Sequence, residues 1–561
     1  MKKVLSFFRD MRNLAVLLPL VLIVSNIALC FTEGYGIIAS LVNIFLPLGV
    51  YMLLMGLWKR TGIMTWLMLP FMIFAGFQIV LLYLYGGSVI AVDMFLNVVT
   101  TNVSEATALL ANLLMAMGVV IILYVPALIW GAWAIVKVRT APEFFLGRMR
   151  LTGVALIIVG AVFLTVAYIF TPDYSFIRQV FPVNAASNLI EACNRYQETS
   201  KHEELSAGFT YHAQPTHGDS IPETYMLVIG ETARGDNWQL GGYPRETNPK
   251  LSKEPGLVFF PKSISESNTT HKSVPMLMSF ACAENFDSIT NYRSVITAFK
   301  EAGFHTAFIS NQQANRSYTE FFGNEADTTL YIPTSGQTEY AYDMALIEPV
   351  ENILADSLHR KKLIVVHTYG SHFRYLDRYP REAAYFQPDQ TIDADASKRT
   401  ELINAYDNTI RYTDEVLASL IGILRNSEQR SALLYASDHW EDIFDDSRNR
   451  FLHASPVPTY WQIHQATLVW LSPALTEMNP DMMTALKANG RQRISPQKSL
   501  FPTLMQLAGV ESPYVVDSLS LVSQKYHPAP AVYLNDLNEA LPLDSCGLKP
   551  EDMKKIKSMI R

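Results

Sequence analysis

At 561 residues the chain is too long for one ordinary domain, and its apolar residues are concentrated before residue 171 rather than spread along it. A formal net charge of -7, from 45 Lys and Arg against 52 Asp and Glu, with no basic block outside short connections, excludes nucleic acid as a partner class. Of the four cysteines Cys30 lies in an apolar run, and Cys193, Cys282 and Cys546 are an odd number that imply no disulfide framework.

Five apolar segments, about 13–31, 36–57, 63–85, 110–135 and 151–170, have the roughly 20-residue length that a bilayer core demands. The first is long and is followed at once by another span, so it reads poorly as a cleaved signal peptide. Lys2, Lys3, Arg9 and Arg12 precede the first span, Lys59 and Arg60 separate the second from the third, and Lys137, Arg139, Arg148 and Arg150 separate the fourth from the fifth. The other two connections carry no Lys or Arg, so the N-terminus is expected in the cytoplasm. An odd number of spans then puts everything after residue 171 across the membrane, in the periplasm if the source is bacterial.

The connection 86–109 holds Asn97, Thr101 and Glu105 four apart, one polar stripe if helical. Such a stripe is either the solvated face of an interfacial helix or a site for a lipid headgroup. Residues 172–223 read as an amphipathic interfacial helix followed by a turn-rich linker. From 224 to 561 strand-like runs alternate with helical patterns, as in a mostly parallel sheet covered on both faces. Strands are expected at 225–230, 257–260, 305–310, 363–368, 432–437 and 466–471, and helices at 290–302, 343–357, 399–425 and 497–508.

Polar groups follow three strand ends: Glu231 after the first, His367 and His372 after the fourth, Asp438 and His439 after the fifth. That is the composition of a crevice at the carboxyl edge of a sheet. Carboxylate oxygen with imidazole nitrogen suits zinc, whereas magnesium relies more on oxygen. A catalytic zinc keeps one position for a reacting group. In SESNTTHKSVP, 265–275, Thr269 or Thr270 sits just before a helix whose exposed N–H groups favour phosphate oxygens.

The ordered strings GETARGDNWQLGGYPRETNP, NTTHKSVPMLMS, HTYGSHF, NAYDNTIRYTDE, ASDHWED and FLHASP, behind five spans, resemble the membrane-bound phosphoethanolamine transferases that modify lipopolysaccharide, including those behind polymyxin resistance. The resemblance covers nearly the whole chain. It implies a five-helix transmembrane domain (1–171) and an α/β domain like alkaline phosphatase and arylsulfatase (224–561). By the same resemblance Glu231, Asp438 and His439 match zinc ligands. Thr270 matches the nucleophile, which also touches the metal. His372 and His453 match histidines that hold phosphate or a second metal, and Asn97, Thr101 and Glu105 match the donor-headgroup stripe.

The implied activity is transfer of phosphoethanolamine from phosphatidylethanolamine to lipid A through a phosphoethanolamine-threonine. It would be carried out by a zinc-dependent, membrane-embedded monomer in the bacterial inner membrane. The alternatives are a core sugar or another periplasmic glycan as acceptor, a phosphoglycerol transferase, and, last, a non-catalytic glycolipid-binding protein. A sulfatase's Cys/Ser-x-Pro/Ala-x-Arg string does not surround Thr270. Two departures from the family pattern stand out. Trp440 replaces a glycine beside the metal, which is expected to reshape the acceptor entrance. Glu266 and Met276 occupy positions that hold cysteines in other members, so the loop before Thr270 is expected to lack a disulfide staple and to be looser.

Overall fold

In the computed structural model, which describes residues 2–100, 113–171, 174–218, 221–332, 341–391 and 395–560, four helices among the described residues are long and apolar enough to cross a membrane: α1 (Met11–Thr32), α2 (Ile37–Gly56), α6 (Leu114–Val136) and α7 (Glu143–Phe170). A bent pair, α3 (Thr61–Leu67) and α4 (Leu69–Tyr85), brings the number to five when counted as one broken span. The sequence suggests one helix there. The 51° bend falls at Met68, two residues before Pro70, whose missing N–H and fixed ring interrupt the hydrogen-bond ladder.

Helices α2 and α7 pack through small residues. A Cβ added at Gly153 would stand 2.8 Å from the Gly49 carbonyl oxygen. Polar side chains inside this unit find partners, as apolar surroundings require: Asn26 Nδ2 donates to the Asn43 and Phe181 carbonyls. Helix α5 (Val92–Thr100) carries a half-buried Asn97. Thr101 and Glu105 lie outside the described residues. Helix α8 (Val183–Thr199) forms where the amphipathic segment was expected. The chain separates into two compact units, Met1–Leu96 with Leu109–Asn194, and Asn97–Ala108 with Arg195–Arg561.

The second unit is built on a seven-stranded sheet of β1 (Glu223–Gly230), β2 (Leu257–Phe259), β3 (His305–Ser310), β4 (Thr328–Tyr331), β5 (Lys361–His367), β6 (Arg430–Ser437) and β7 (Thr467–Leu471). Its order is β2-β7-β6-β1-β5-β3-β4. Strands β6, β1, β5, β3 and β4 run parallel, and β7 is antiparallel to both of its neighbours. The central strand β1 is buried along its whole length, so it reads as an unbroken apolar run rather than an alternation.

One face is covered by α11 (Arg399–Asn426), whose Leu402, Tyr406, Ile410, Leu417, Leu420 and Leu424 recur at helical spacing and enter the core. The other face is covered by α12 (Pro496–Leu507) through Leu500, Phe501, Leu504 and Met505. Two expected helices are shorter than their patterns. Residues 290–302 reduce to Val295–Glu301, because Ser294 Oγ accepts the Ile296 N–H and fixes the start there. Residues 343–357 open with a 3-10 turn, Asp343–Leu346, before α10 (Ile347–Ala355).

Candidate active site

Strand β1 delivers Glu231 at its carboxyl end, and the chain then turns sharply. Thr232 has φ +55°, a left-handed conformation that is costly for a β-branched residue, on the order of 1–2 kcal/mol. Several bonds hold it. The Thr232 N–H donates to Asp438 Oδ1 (3.1 Å), its hydroxyl to Glu231 Oε1 (2.6 Å), and Tyr406 OH to its carbonyl (2.7 Å). The loop after β5 closes over the same turn. Gly370 (φ +52°) lies so near that an added Cβ would stand 2.6 Å from the Glu231 carbonyl oxygen, and the Ser371 N–H donates to that oxygen at 2.9 Å.

Strand β6 delivers Asp438 and His439, and the segment before helix α9 (Thr270–Leu277) delivers the hydroxyl. Thr269 is the residue before the helix and is buried, its hydroxyl 3.2 Å from Ser267 Oγ. Thr270 is the first helical residue and is half-buried. Its Oγ1 lies 3.0 Å from His439 Nε2. Of the two candidate hydroxyls it is therefore Thr270 that meets the acidic cluster. The Asp438 carbonyl accepts from Ser265 Oγ (3.2 Å) and Ser273 Oγ, and Gln497 Nε2 donates to both serines at 2.9 Å. Helix α12 thereby ties the nucleophile segment to the β6 end.

Glu231, Asp438 and His439 are all buried, with a ligand atom from each within 4.8 Å of the others. From His439 Nε2 the distances are 3.6 Å to Glu231 Oε1, 3.2 Å to Asp438 Oδ2 and 3.0 Å to Thr270 Oγ1. Tetrahedral zinc with bonds of about 2.0–2.1 Å sets its donors about 3.3 Å apart, so these spacings fit one ion. Asp438 Oδ2 is buried and has no hydrogen-bond partner, the orphaned acceptor that a cation would satisfy. Burial, and then the Asp438 charge, pushes Glu231 up to about 8, and burial pushes Asp438 up to about 7. Burial lowers His439, which keeps its imidazole neutral and able to ligate. The group is most stable in charged form with a cation among it.

His453 stands beside this cluster, its ring centroid 4.0 Å from that of His439 and its Nδ1 3.3 Å from Glu441 Oε2. Glu441 is fully buried and accepts from Tyr375 OH. His372 is one ring further out, 6.4 Å from His453, stacked on Tyr369 at 5.3 Å, with Nδ1 2.6 Å from the Phe373 carbonyl. His367 does not join them. Its Nδ1 faces Ser310 Oγ at 3.2 Å, and burial lowers it to about 4, so it is a neutral core histidine.

Trp440 also differs from expectation. Its indole is fully buried, packed on His464 at 4.6 Å and against Gly235, and so shapes the core beneath the site rather than a solvent-facing entrance. Nor is the segment at Glu266 loose. Its carboxylate accepts from the Ala283 N–H (2.8 Å) and Ser495 Oγ (2.9 Å), and Lys498 Nζ lies 3.3 Å away. Sequence reasoning missed Gln312, whose Nε2 donates to Glu231 Oε2 at 3.3 Å. It lies just past the end of β3, the same edge rule that singled out Glu231.

A doubly covered, mostly parallel sheet with a Glu–Asp–His cluster and a helix-start threonine at its carboxyl edge defines a hydrolase or transferase of the alkaline-phosphatase type. The sulfatase family model matches residues 223–510, and the chain belongs to that family. It is 28% identical over 447 residues to the phosphoethanolamine transferase EptA of Salmonella typhimurium, covering 76% of this chain and 80% of that one. The crystal structure of the C-terminal periplasmic domain of EptC from Escherichia coli in complex with Zn is 26% identical, with TM-score 0.54, over 61% of this chain and 97% of that one. The integral membrane protein lipooligosaccharide phosphoethanolamine transferase A of Neisseria meningitidis shares the fold at 19% identity and TM-score 0.67, over 91% of this chain and 97% of its own.

Proposed function

We propose that the chain transfers phosphoethanolamine from phosphatidylethanolamine to a lipopolysaccharide acceptor, in the first place a lipid A phosphate, through a covalent phosphoethanolamine-threonine at Thr270. The observation that carries this reading is the Thr270 hydroxyl, 3.0 Å from His439 Nε2, at the open corner of a buried Glu–Asp–His cluster with the spacing of a zinc site. Glu231, Asp438, His439 and Thr270 would hold one zinc ion, which lowers the pKa of a bound hydroxyl and neutralises phosphoryl charge.

In the first step Thr270 Oγ forms a bond to phosphorus and the bond from phosphorus to the diacylglycerol oxygen breaks. That oxygen leaves carrying the proton Thr270 gave up. In the second, an acceptor oxygen attacks the same phosphorus, Thr270 Oγ leaves, and it regains the proton that the acceptor loses. His453, its Nδ1 held by Glu441, and His372, its Nδ1 held at the Phe373 carbonyl, would turn Nε2 toward the non-bridging oxygens and donate to them in the protonated, imidazolium form. Asn97, Thr101 and Glu105 would receive the donor headgroup, Glu105 supplying the charge opposite to its ammonium. The Lys and Arg of the connections support a cytoplasmic N-terminus, and with five spans residues 224–561 would face the periplasm of a bacterial inner membrane, where donor and acceptor are both lipids. Adding an ammonium to lipid A cancels phosphate charge and weakens the binding of cationic peptides such as polymyxin.

The test uses purified full-length protein with fluorescent phosphatidylethanolamine, and phosphatidylglycerol as the competing donor. Diacylglycerol release from phosphatidylethanolamine is expected, abolished in Thr270→Ala. Wild-type release by Thr270→Ala, or a preference for phosphatidylglycerol, would overturn the reading. Mass spectrometry of host lipid A with and without the gene then checks the acceptor.

A further inference from the structure

The amino edge of the sheet, opposite the edge that carries Thr270, gathers a second set of metal-ligating side chains. His305 opens β3, Asp356 caps the end of α10, and His359 sits in the turn before β5. One ligand atom from each lies within 4.8 Å of the others. His359 Nδ1 is 2.6 Å from Asp356 Oδ2, and Asp327, at the start of β4, places Oδ2 3.7 Å from His305 Nδ1. Strands β3 and β5 are six and seven residues long, which at about 3.3 Å per residue separates this cluster from the catalytic edge by about 20 Å.

We propose that His305, Asp356 and His359 form a second site, for a borderline divalent transition ion such as zinc, independent of the catalytic centre. Two imidazoles and a carboxylate are the donor set of zinc, nickel or copper(II), and not of magnesium or calcium, which select oxygen. The three ligands come from three segments, so a bound ion would brace α10, β3 and β5 at an edge that has no other cross-link of that kind among the described residues.

The geometry also sets the strength of binding. The His305 and His359 rings lie face to face, centroids 4.1 Å apart and planes 14° from parallel, so their in-plane lone pairs do not meet at one point. Ligation therefore requires one ring to turn. His359 is the one that can, with a side chain 48% exposed against 17% for His305. Two ammonium groups stand at the rim: Lys362 Nζ donates to the Asp356 carbonyl at 2.7 Å, and Lys300 Nζ pairs with Asp327 Oδ1 at 2.9 Å. Their charge opposes a dication, and together with the reorientation of His359 it makes binding here weaker than at a closed structural site. Burial lowers His305, which keeps it in the neutral form a metal needs. The cluster Glu266, Cys282 and Glu284 has similar spacing but already holds its own cation, Lys498 Nζ, 2.5 Å from Glu284. It is therefore not a competing candidate.

The experiment is zinc titration of untagged full-length protein in detergent, stripped with chelator and followed by calorimetry. Two classes of site are expected, one tight and one weaker. His359→Gln and, separately, His305→Asn should each weaken the second class at least tenfold while leaving the tight class and the transferase rate unchanged. Asp438→Asn should do the reverse. A single class in the wild-type protein, or a weak class that both histidine variants leave unchanged, rejects the site and leaves a stacked histidine pair capped by carboxylates.

Discussion

Replacing Lys498 by Met asks whether the segment leading to Thr270 is held by charge. Lys498 Nζ lies 3.3 Å from Glu266 Oε1 and 2.5 Å from Glu284 Oε1, and Glu266 is 1% exposed. Burial pushes the Glu266 carboxyl up, and the Lys498 charge is the strongest influence opposing that. The substitution leaves a buried carboxylate without its cation, which costs about 3–5 kcal/mol. Glu284, its side chain 44% exposed, turns to water and adds less than about 1 kcal/mol.

With an unfolding entropy of about 2.1 cal/mol/K per residue, a unit of this size loses about 4–7 °C in its unfolding midpoint. The assay is thermal unfolding of the purified full-length protein, with transferase activity measured below the transition. Glu266→Gln combined with Lys498→Met removes both charges and should recover most of the loss, since a neutral pair in the same place carries no stranded charge. A Lys498→Met protein that melts within about 1 °C of wild type, or a double variant as unstable as the single, would refute the reasoning.

Stripping the metal with chelator should lower the unfolding midpoint of the same unit, and zinc at about a thousand times its dissociation constant should restore about 4 kcal/mol, measured by scanning calorimetry. Glu441→Gln should reduce transfer about 10–100-fold with zinc content unchanged, because His453 loses the carboxylate that orients it; metal analysis beside kinetics separates the two effects. Asp414 supplies the pH prediction. Its carboxylate accepts the N–H groups of Lys250 and Leu251, yet burial pushes it up to about 6. A carboxyl with a raised folded value contributes stability below its unfolded value of 3.8 and loses it as pH rises through about 6. Wild-type stability should therefore fall by about 3 kcal/mol between pH 4 and 7 through this group, a fall that Asp414→Asn, which cannot ionise, should not show, read as the difference in pH slope by denaturant unfolding at each pH.

The buried strands were legible because a strand covered on both faces leaves an apolar run, and 225–230, 305–310 and 432–437 are such runs in a two-faced core. Thr328–Tyr331 was not, being a four-residue edge strand with half-exposed, mixed side chains. The reversed direction of β7 was equally invisible, since the run 466–471 has the same composition whichever way it points. The break in the third span coincides with Pro70, a local signal that an apolar run of that length does not show by hydropathy alone. At the site, the strand-end rule led to Glu231, Asp438 and His439, and the structure brings them together with Thr270. It gave no access to Gln497 or Lys498, more than two hundred residues from the segment they hold, because nothing local in a sequence encodes a contact at that separation.

The tie at Glu266 has a consequence for where and how the enzyme can mature. All four cysteines are free thiols, and the segment at Glu266 is secured by an ammonium and hydrogen bonds. Assembly of the segment that leads to Thr270 therefore needs no thiol oxidase and no disulfide shuffling. A strong reductant should leave its turnover untouched, and a host with a crippled oxidative-folding pathway should produce it at full activity.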